Sequence, residues 1–155
     1  MNGELLIGRV RWWHLTEMAR METAIFGPEA WSEGLLWSEL AAGHDYRAVF
    51  DRSAPGPVSD RIAGYAGTAF ADTEAWINNI AVDADYRRRG VATMLMDDLL
   101  ARARAGGAKS VFLEVAVDNV PAQRLYDRYG FYGIGVRKNY YQHTGTDAAV
   151  MRMDL

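Results

Sequence analysis

The sequence of 155 residues contains no cysteine, and this absence excludes several kinds of chemistry. A chain without cysteine has no disulfide framework, no thiol nucleophile and no cysteine-ligated zinc. Positive charge is also in short supply, since 17 Lys and Arg face 20 Asp and Glu and the net charge is -3. This balance argues against a dedicated nucleic-acid-binding protein, although a local basic patch remains open.

Long hydrophobic runs are missing as well. No stretch approaches the roughly 20 consecutive apolar residues of a membrane-spanning helix. Residues 1–6 show no basic segment followed by an apolar run, so we expect no signal peptide. The length corresponds to one domain at roughly 150 residues per domain, and half of the residues are hydrophobic. We therefore expect a single domain over residues 1–155 that is cytoplasmic and binds neither a membrane nor nucleic acid.

The periodicity of apolar residues and the positions of glycine predict seven strands and four helices. The predicted strands cover residues 4–12, 46–50, 61–70, 75–82, 110–117, 132–141 and 148–154, and the predicted helices cover residues 15–25, 32–43, 91–104 and 119–129. The order β-α-α-β-β-β-α-β-α-β-β indicates a mixed α/β (α+β) sheet. Most of its strands form antiparallel hairpins, with crossover helices in the second half.

Four local features of the sequence add to this prediction of strands and helices. In the first helix, Glu22 recurs at helical spacing with the apolar residues Leu15, Met18, Ala19 and Ile25. Residues 52–60 contain Pro-Gly-Pro and are predicted to form a turn or loop, and whether this loop closes over a substrate stays open. Trp12 and Trp13 are predicted to pack beneath the sheet. The three histidines show no metal-ligand spacing, so no metal site is predicted.

The segment from Asn79 to Thr93 carries the strongest functional signal. An apolar strand leads into Arg87-Arg88-Arg89-Gly90, and this turn opens the third helix. The first N–H groups of a helix lack intrahelical partners and lie at the positive end of its dipole, so such a turn can hold a pyrophosphate. The turn lacks the Gly-Lys-Ser/Thr of a P-loop, and no G-x-G-x-x-G follows a strand. A solvated run of arginines explains the same residues, and both interpretations remain open here.

A second group of candidate residues surrounds the fifth strand. Glu114 lies inside an apolar strand, where a carboxylate either pairs with an arginine or performs acid–base chemistry in a cleft. Burial raises the pKa of a carboxylate towards neutrality, which suits a general base. Asn119 and Tyr126 are two helical turns apart and share one face of the fourth helix. Asn119 is equally well placed to cap that helix, and Tyr126 alone is more typical of a core aromatic.

Both segments resemble the GCN5-related N-acetyltransferase (GNAT) family. Arg87-Arg88-Arg89-Gly90-Val91-Ala92 matches the family motif Q/R-x-x-G-x-G/A, and Asn119-x-x-Ala122-x-x-Leu125-Tyr126-x-x-x-Gly130-Phe131 matches its second coenzyme A motif. Within the family, Leu113-Glu114-Val115 and Arg137-x-Asn139-Tyr140-Tyr141 resemble the ribosomal-protein-alanine N-acetyltransferases, the RimI group. Trp31-Ser32-Glu33 resembles the substrate-side Trp-Ser of that group. The matched region begins near Asn79 and covers nearly half of the chain.

The resemblance implies a GNAT fold, with six to seven strands and about four helices, that binds acetyl-CoA and requires no metal. It implies that backbone N–H groups from Arg88 to Thr93 hold the coenzyme A pyrophosphate, a stretch that contains Arg89, Gly90, Val91 and Ala92. It also implies that the backbone of Ile80, Ala81 and Val82 pairs with the pantetheine arm like an added strand. An N–H group near Val82 is then the donor to the thioester carbonyl.

Catalytic roles follow from the same resemblance. Glu114 becomes the proton acceptor, Tyr126 the proton donor and Asn119 a coenzyme A contact. No covalent nucleophile is needed, because the acceptor amine attacks the thioester directly and most of the acceleration comes from positioning the two reactants together. The enzyme is therefore expected to be an acetyl-CoA-dependent N-acetyltransferase, and we expect a monomer or a weak dimer.

The expected acceptor, again by resemblance, is the N-terminal alanine of a small-subunit ribosomal protein. Trp31, Tyr140 and Tyr141 are the implied substrate contacts, with the two tyrosines as a wall of a peptide groove. Adjacent tyrosines also occur with one ring in the core and one outside, so this alternative stays open. A small amine such as a polyamine, or a lysine side chain, is the rival acceptor. An acidic pocket would favour that rival, and nothing in the sequence requires one.

Overall fold

A seven-stranded sheet runs through the protein and carries helices on both faces. The computed structural model describes residues 4–54 and 61–155, so residues 55–60 of the predicted 52–60 loop lie outside the described residues. The strands are β1 (Leu5–Arg9), β2 (Asp45–Asp51), β3 (Arg61–Ala71), β4 (Glu74–Val82), β5 (Ser110–Ala116), β6 (Tyr132–Tyr141) and β7 (Thr146–Asp154). The helices are α1 (Leu15–Phe26), α2 (Glu33–Ala41), α3 (Val91–Ala105) and α4 (Val120–Arg128). The predicted element order and the mixed α/β class are confirmed.

The strands lie in the order β1-β2-β3-β4-β5-β7-β6. β4 and β5 are parallel, and the other neighbours are antiparallel. A parallel pair needs a crossover connection, which α3 supplies between β4 and β5. Because α3 follows β4 and α4 follows β5, both helices begin at the edge of the sheet where these two strands end. None of the helices within the described ranges is long and apolar enough to span a membrane.

Each face of the sheet buries its own hydrophobic cluster. On one face α1 and α2 contribute Met18 and Leu36, which pack with Tyr65 of β3. On the other face α3 contributes Leu95 and Leu99 to a cluster with residues of β4 and β5. Full burial of each such side chain contributes roughly 1.5–3 kcal/mol, so the two clusters hold the helices against the sheet.

Two helices begin at capping residues that the sequence indicates. Ser32 accepts a hydrogen bond from the N–H of Leu35 at 3.1 Å, which confirms the predicted cap of α2. Asn119 accepts one from the N–H of Ala122 at 3.3 Å, and Pro121 follows at an early helical position. Asn119 therefore does cap α4, one of the two roles that the sequence leaves open.

The two tryptophans before α1 do not pack beneath the sheet, so that prediction is wrong. Trp12 and Trp13 are 60% and 55% exposed, and Trp12 stacks on the exposed Trp37 of α2. β1 ends at Arg9, three residues short of the predicted strand, and the tryptophans lie in a short 3-10 turn. The space beneath the sheet is filled instead by Leu15 and other residues of α1.

Candidate functional site

A cleft opens where β4 and β5 separate. The two strands pair only from Glu74 opposite Ser110 to Ile77 opposite Leu113. The pairing of β4 with β3 shifts register at this point, which leaves Asn78 as an extra residue in β4. An extra residue bends a strand and increases its twist, and the bend turns the rest of β4 away from β5. In the described structure, the β5-facing edge of β4 beyond Ile77 therefore has no strand partner.

The cleft has a volume of about 880 Å³ and collects residues from both faces of the sheet. Most of the predicted site residues line it. They are Trp31, Ile80, Ala81, Val82, Ala92, Glu114, Asn119, Tyr126, Tyr140 and Tyr141. Arg88, Arg89, Gly90, Val91 and Thr93 are not among the lining residues in the described structure. These five positions lie beyond the end of the cleft, at the turn before α3 and in its first residues.

The turn before α3 has an unusual backbone. Arg88 and Gly90 both adopt left-handed conformations, with φ of 62° and 79°. Gly90 is the N-cap of α3, and its carbonyl accepts the hydrogen bond from the N–H of Met94. Successive N–H groups in such a turn form a concave surface that binds anions, and the helix dipole adds to the attraction. The turn therefore has the local geometry of a phosphate site.

The side chains of this turn divide between solvent and core. The Arg89 guanidinium lies 5.0 Å from the centre of the Tyr86 ring, beside a second cavity away from the cleft. Val91 is buried in the core, whereas the side chains of Arg87 and Arg88 are exposed. The arginines are thus in part the solvated charge run that the sequence leaves open. That arrangement is compatible with binding through the backbone.

A glycine in β3 lets the start of α3 approach the sheet. A Cβ at Gly64 would lie 2.7 Å from Cγ1 of Val91 and 2.8 Å from the carbonyl oxygen of Ala81. A Cβ atom essentially never lies this close to another heavy atom, so a larger residue would push α3 away. The absence of a side chain at residue 64 therefore places the turn before α3 next to the unpaired edge of β4.

Glu114 is paired with an arginine and also lies in the cleft, two placements that the sequence presents as alternatives. Its Oε1 atom forms an ion pair with Nε of Arg137 on β6 at 3.0 Å. Burial raises the pKa of the Tyr140 hydroxyl, and its contact with the Glu114 carboxylate raises this pKa further. Glu114 also lines the cleft, with a side chain that is 17% exposed. It is thus a paired carboxylate that also reaches the space between β4 and β5.

Tyr126 reaches the cleft from α4. Its side chain is 5% exposed, and its ring packs edge-to-face against Phe131 at 5.8 Å between ring centres. Burial raises the pKa of the Tyr126 hydroxyl above its ordinary value. The phenol is therefore protonated at neutral pH and can act as a proton donor.

Tyr140 and Tyr141 both line the cleft although they are adjacent in β6. The pairing of β6 with β7 shifts register between Arg137 and Tyr141, and Asn139 adopts a left-handed conformation with φ of 51°. This irregularity interrupts the alternation that would send neighbouring side chains to opposite faces. The rings meet almost at right angles, 5.0 Å apart. The alternative of one ring in the core and one outside is not what the structure shows.

Sequence reasoning missed a buried carboxylate in α1. Glu22 is 1% exposed, and it accepts hydrogen bonds from the Tyr65 hydroxyl and the Asn79 side chain, both at 2.5 Å. Its other oxygen accepts from the backbone N–H of Trp31 at 3.1 Å. Glu22 also lines the cleft. A signal was present in the sequence, because Glu22 falls on the apolar stripe of the helix.

Sequence reasoning also missed a second carboxylate, Glu39 of α2, which lies beside β4 as Glu22 does. It accepts hydrogen bonds from the Tyr46 hydroxyl at 2.9 Å and from the Asn78 side chain at 3.0 Å, and His44 contacts it at 2.8 Å. The extra residue in β4 places Asn78 and Asn79 so that each reaches a different helix. Nothing local in the sequence connects Glu39 to Asn78, which are 39 residues apart.

The cleft is strongly acidic. Carboxylates line it at Glu22, Glu29, Glu39, Glu114 and Asp118. Within residues 4–54 and 61–155, no lysine or arginine lines it. Opposite charge attracts a protonated amine into such a space and lowers the free energy of the bound cation. The structure therefore contains an acidic pocket, the feature that would favour a small amine as the acceptor and that the sequence alone did not predict.

The acetyltransferase (GNAT) family profile matches residues 10–131, which is most of the chain. The protein belongs to this family. The predicted family and its fold are thereby confirmed. A solved structure of the ribosomal-protein-S18-alanine N-acetyltransferase from Escherichia coli superimposes with a TM-score of 0.82 and 27% identity, covering 97% of this chain and 93% of that one.

Curated relatives of this GNAT protein include the N-alpha-acetyltransferase RimI of Mycobacterium tuberculosis. The two are 36% identical over 141 residues, which is 88% of this chain and 84% of the relative. An uncharacterized protein of Mycobacterium leprae is 35% identical over 99% of this chain. The chain spans only 42% of that relative's length. The predicted likeness to the RimI group is confirmed.

Proposed function

We propose that this GNAT protein transfers the acetyl group of acetyl-CoA to the N-terminal α-amine of a protein. The observation that carries the proposal is the cleft between β4 and β5, where an unpaired strand edge meets Glu114 and Tyr126. The names of the RimI relatives support an N-terminal acceptor, and we take the N-terminal alanine of a small-subunit ribosomal protein as the acceptor to test first.

We define the coenzyme side of the cleft as β4 after Ile77, the turn 87–90, α3 and α4. On this side, the backbone provides most of the binding groups. The pantetheine arm pairs with the free edge of Ile80–Val82, as a peptide does when it adds a strand to a sheet. The pyrophosphate lies at the N–H groups from Arg88 to Thr93, where the left-handed turn meets the start of α3. Asn119 contributes a contact at the start of α4. The unpaired edge fits this ligand, because its N–H and C=O groups face the cleft without a strand partner in the described structure.

We define the acceptor side of the cleft as α1, residues 27–32 and β6–β7. On this side, side chains bind the acceptor. Trp31, Tyr140 and Tyr141 bound the space for the N-terminal residue. Glu29 of the segment between α1 and α2 accepts a hydrogen bond from the N–H of Thr144 at 2.9 Å, so the two loops meet across the cleft. The acidic lining favours an acceptor that arrives as an ammonium ion.

The reaction needs one proton acceptor and one proton donor. A peptide α-amine has a pKa of about 7.7–8.0, so much of it is protonated at neutral pH. Glu114 takes this proton, directly or through a water, and the amine nitrogen then attacks the thioester carbonyl carbon. A backbone N–H near Val82 stabilises the negative carbonyl oxygen. The carbon–sulfur bond breaks, and Tyr126 gives its proton to the departing thiolate. The nitrogen of the new amide loses its surplus proton, which returns to the Tyr126 phenolate and restores the phenol.

A small-molecule amine or a lysine side chain is the second candidate acceptor. The observation that favours it is the acidic lining, which attracts polyamines as well as peptide ammonium groups. The two candidates share the coenzyme side and the catalytic pair, and they differ in what the acceptor side must accommodate.

A panel of acceptors tests both candidates. The purified protein is incubated with acetyl-CoA and short peptides of differing N-terminal residue, a lysine peptide with a blocked N-terminus, or spermidine, and thiol release and product mass are measured. We expect a mass gain at a free N-terminal alanine that Glu114→Gln abolishes. Acetylation of spermidine or lysine alone would overturn the N-terminal assignment and keep the acetyltransferase. Binding of acetyl-CoA without transfer to any acceptor would favour a regulatory module.

A further inference from the structure

Glu22 is a cleft residue that the proposed reaction does not use. Its carboxylate is among the most buried polar groups in the described structure, yet it belongs to the lining of the cleft. Burying a charged group is costly unless hydrogen bonds compensate for lost water. The identity of its partners therefore indicates what this residue does.

The three partners of Glu22 come from three different parts of the chain. Oε1 accepts from the Tyr65 hydroxyl of β3 and from the Asn79 side chain of β4. Oε2 accepts from the backbone N–H of Trp31, in the segment that connects α1 to α2. One side chain of α1 thus joins two central strands to a loop.

One end of this link is a proposed ligand contact, and the other end is next to one. Asn79 directly precedes Ile80, where the free edge of β4 begins to face the coenzyme. Trp31 is a wall of the acceptor side. We infer that Glu22 is a positioning residue that fixes the Trp31 segment against β4 and so sets the space in which the acceptor amine meets the thioester. The inference rests on the proposed function for the nature of that acceptor.

Glu39 provides a matched comparison within the same molecule. It also lines the cleft, accepts a hydrogen bond from a β4 asparagine and accepts another from a tyrosine hydroxyl. Its side-chain hydrogen-bond partners in residues 4–54 and 61–155 are Tyr46, Asn78 and His44, none of which lies in the segment before α2. Loss of either carboxylate removes the bracing of β4, but only loss of Glu22 releases the N–H of Trp31.

The test compares Glu22→Met with Glu39→Met. Methionine fills a similar volume and accepts no strong hydrogen bond, so each variant removes the acceptor and keeps the packing. For Glu22→Met we expect the KM of an N-terminal alanine peptide to rise about tenfold, as one lost hydrogen bond with its stranded donor allows. The dissociation constant of acetyl-CoA should change to the same small extent in both variants, because each loses one contact with β4. Glu39→Met should change the peptide KM less.

Hydrogen exchange of the Trp31 amide gives a readout that needs no catalysis. We expect exchange at Trp31 to accelerate about tenfold in Glu22→Met, because its acceptor is gone. The Trp31 rate should remain at the wild-type value in Glu39→Met. If Glu22→Met does not fold, Glu22→Gln keeps one acceptor oxygen, and a smaller rise in peptide KM with unchanged acetyl-CoA binding is expected.

A merely structural role predicts a different pattern. Both variants would then lose melting temperature and active fraction, while the KM values of the folded enzyme would stay unchanged, and this result would overturn the inference. If the wild-type protein acetylates no peptide, the proposed function fails by itself. The positioning role is still tested in that case, because an unchanged Trp31 exchange rate in the Glu22 variants overturns it.

Discussion

The coenzyme side and the acceptor side of the cleft present different chemical groups, backbone on the first and side chains on the second. The coenzyme side presents backbone groups, namely the unpaired edge of β4 and the left-handed turn at Arg88 and Gly90. The acceptor side presents side chains that are held by one another, such as Glu22 beneath Trp31 and Glu114 beside Tyr140. A site made of backbone groups keeps its binding groups when side chains are substituted. A site made of side chains loses a binding group with each substitution.

This difference has a consequence for specificity. Every member of a family can bind the same coenzyme through backbone groups while its side chains diverge, because N–H and C=O groups are common to all residues. The acceptor side can change its substrate by exchanging a few contacts that long-range packing holds in place. Glu29 and Thr144, for example, meet across 115 residues of chain.

The largest effect is expected where both sides meet, at Glu114. Glu114→Gln removes the proton acceptor and keeps the shape of the side chain, so kcat should fall on the order of 10³-fold. Acetyl-CoA affinity should persist, because the coenzyme side is intact. Isothermal titration and steady-state kinetics measure the two quantities.

Glu74→Gln is the matched control for Glu114, since this exposed carboxylate of β4 does not line the cleft. A comparable loss of kcat in both variants would show that the rate depends on the negative charge of the sheet as a whole and not on a proton acceptor at Glu114. Unchanged kcat in Glu114→Gln would remove the proposed base.

The sequence predicts one side of the cleft far better than the other. The motif around Gly90 and the helix after it are contiguous, so a local pattern contains nearly all of the turn before α3. Most element bounds also follow from local periodicity and from capping residues such as Ser32. The strand β1 is the exception, because its predicted end ran into an aromatic turn.

The cleft itself could not be predicted in this way. Its opening depends on the register shift at Asn78, which arises from the pairing of β4 with β3 and not from residue 78 alone. The contact of Glu22 with Asn79 joins residues 57 apart in the chain. The common orientation of Tyr140 and Tyr141 depends on a positive φ at Asn139, and no glycine marks that position.

The next largest effect is expected on the acceptor side alone. Tyr140→Ala removes a wall of the acceptor space and a partner of Glu114, so the KM for the peptide should rise about tenfold, the range of a lost hydrogen bond to a charged group. The KM for acetyl-CoA should change little. Initial rates over a matrix of both substrates measure the two constants.

Tyr132→Ala serves as the control for Tyr140, because Tyr132 lies on the same strand, donates to Asp154 at 2.8 Å and does not line the cleft. Equal increases in both KM values for Tyr140→Ala would contradict the separation of the two sides.

A smaller effect is expected from the backbone of the coenzyme side. Gly90→Ala places a side chain at a φ of 79°, which costs roughly 1–2 kcal/mol, so acetyl-CoA affinity and melting temperature should both fall. Arg88→Gly removes a side chain and keeps the left-handed turn accessible, so acetyl-CoA affinity should fall less. Isothermal titration distinguishes the two variants. A larger loss for Arg88→Gly would show that the arginine side chain, and not the turn, holds the pyrophosphate.

The smallest effect is expected at Asn119, where capping and coenzyme contact coincide. Asn119→Ala should lower the free energy of unfolding by about 1 kcal/mol, whereas Asn119→Ser keeps a capping oxygen and should retain most of that stability. If Asn119 also contacts coenzyme A, both variants weaken acetyl-CoA binding a few-fold. Calorimetric titration beside thermal unfolding separates the two roles. Full affinity in Asn119→Ser would assign the residue to the helix alone, and the coenzyme side would then bind almost entirely through its backbone.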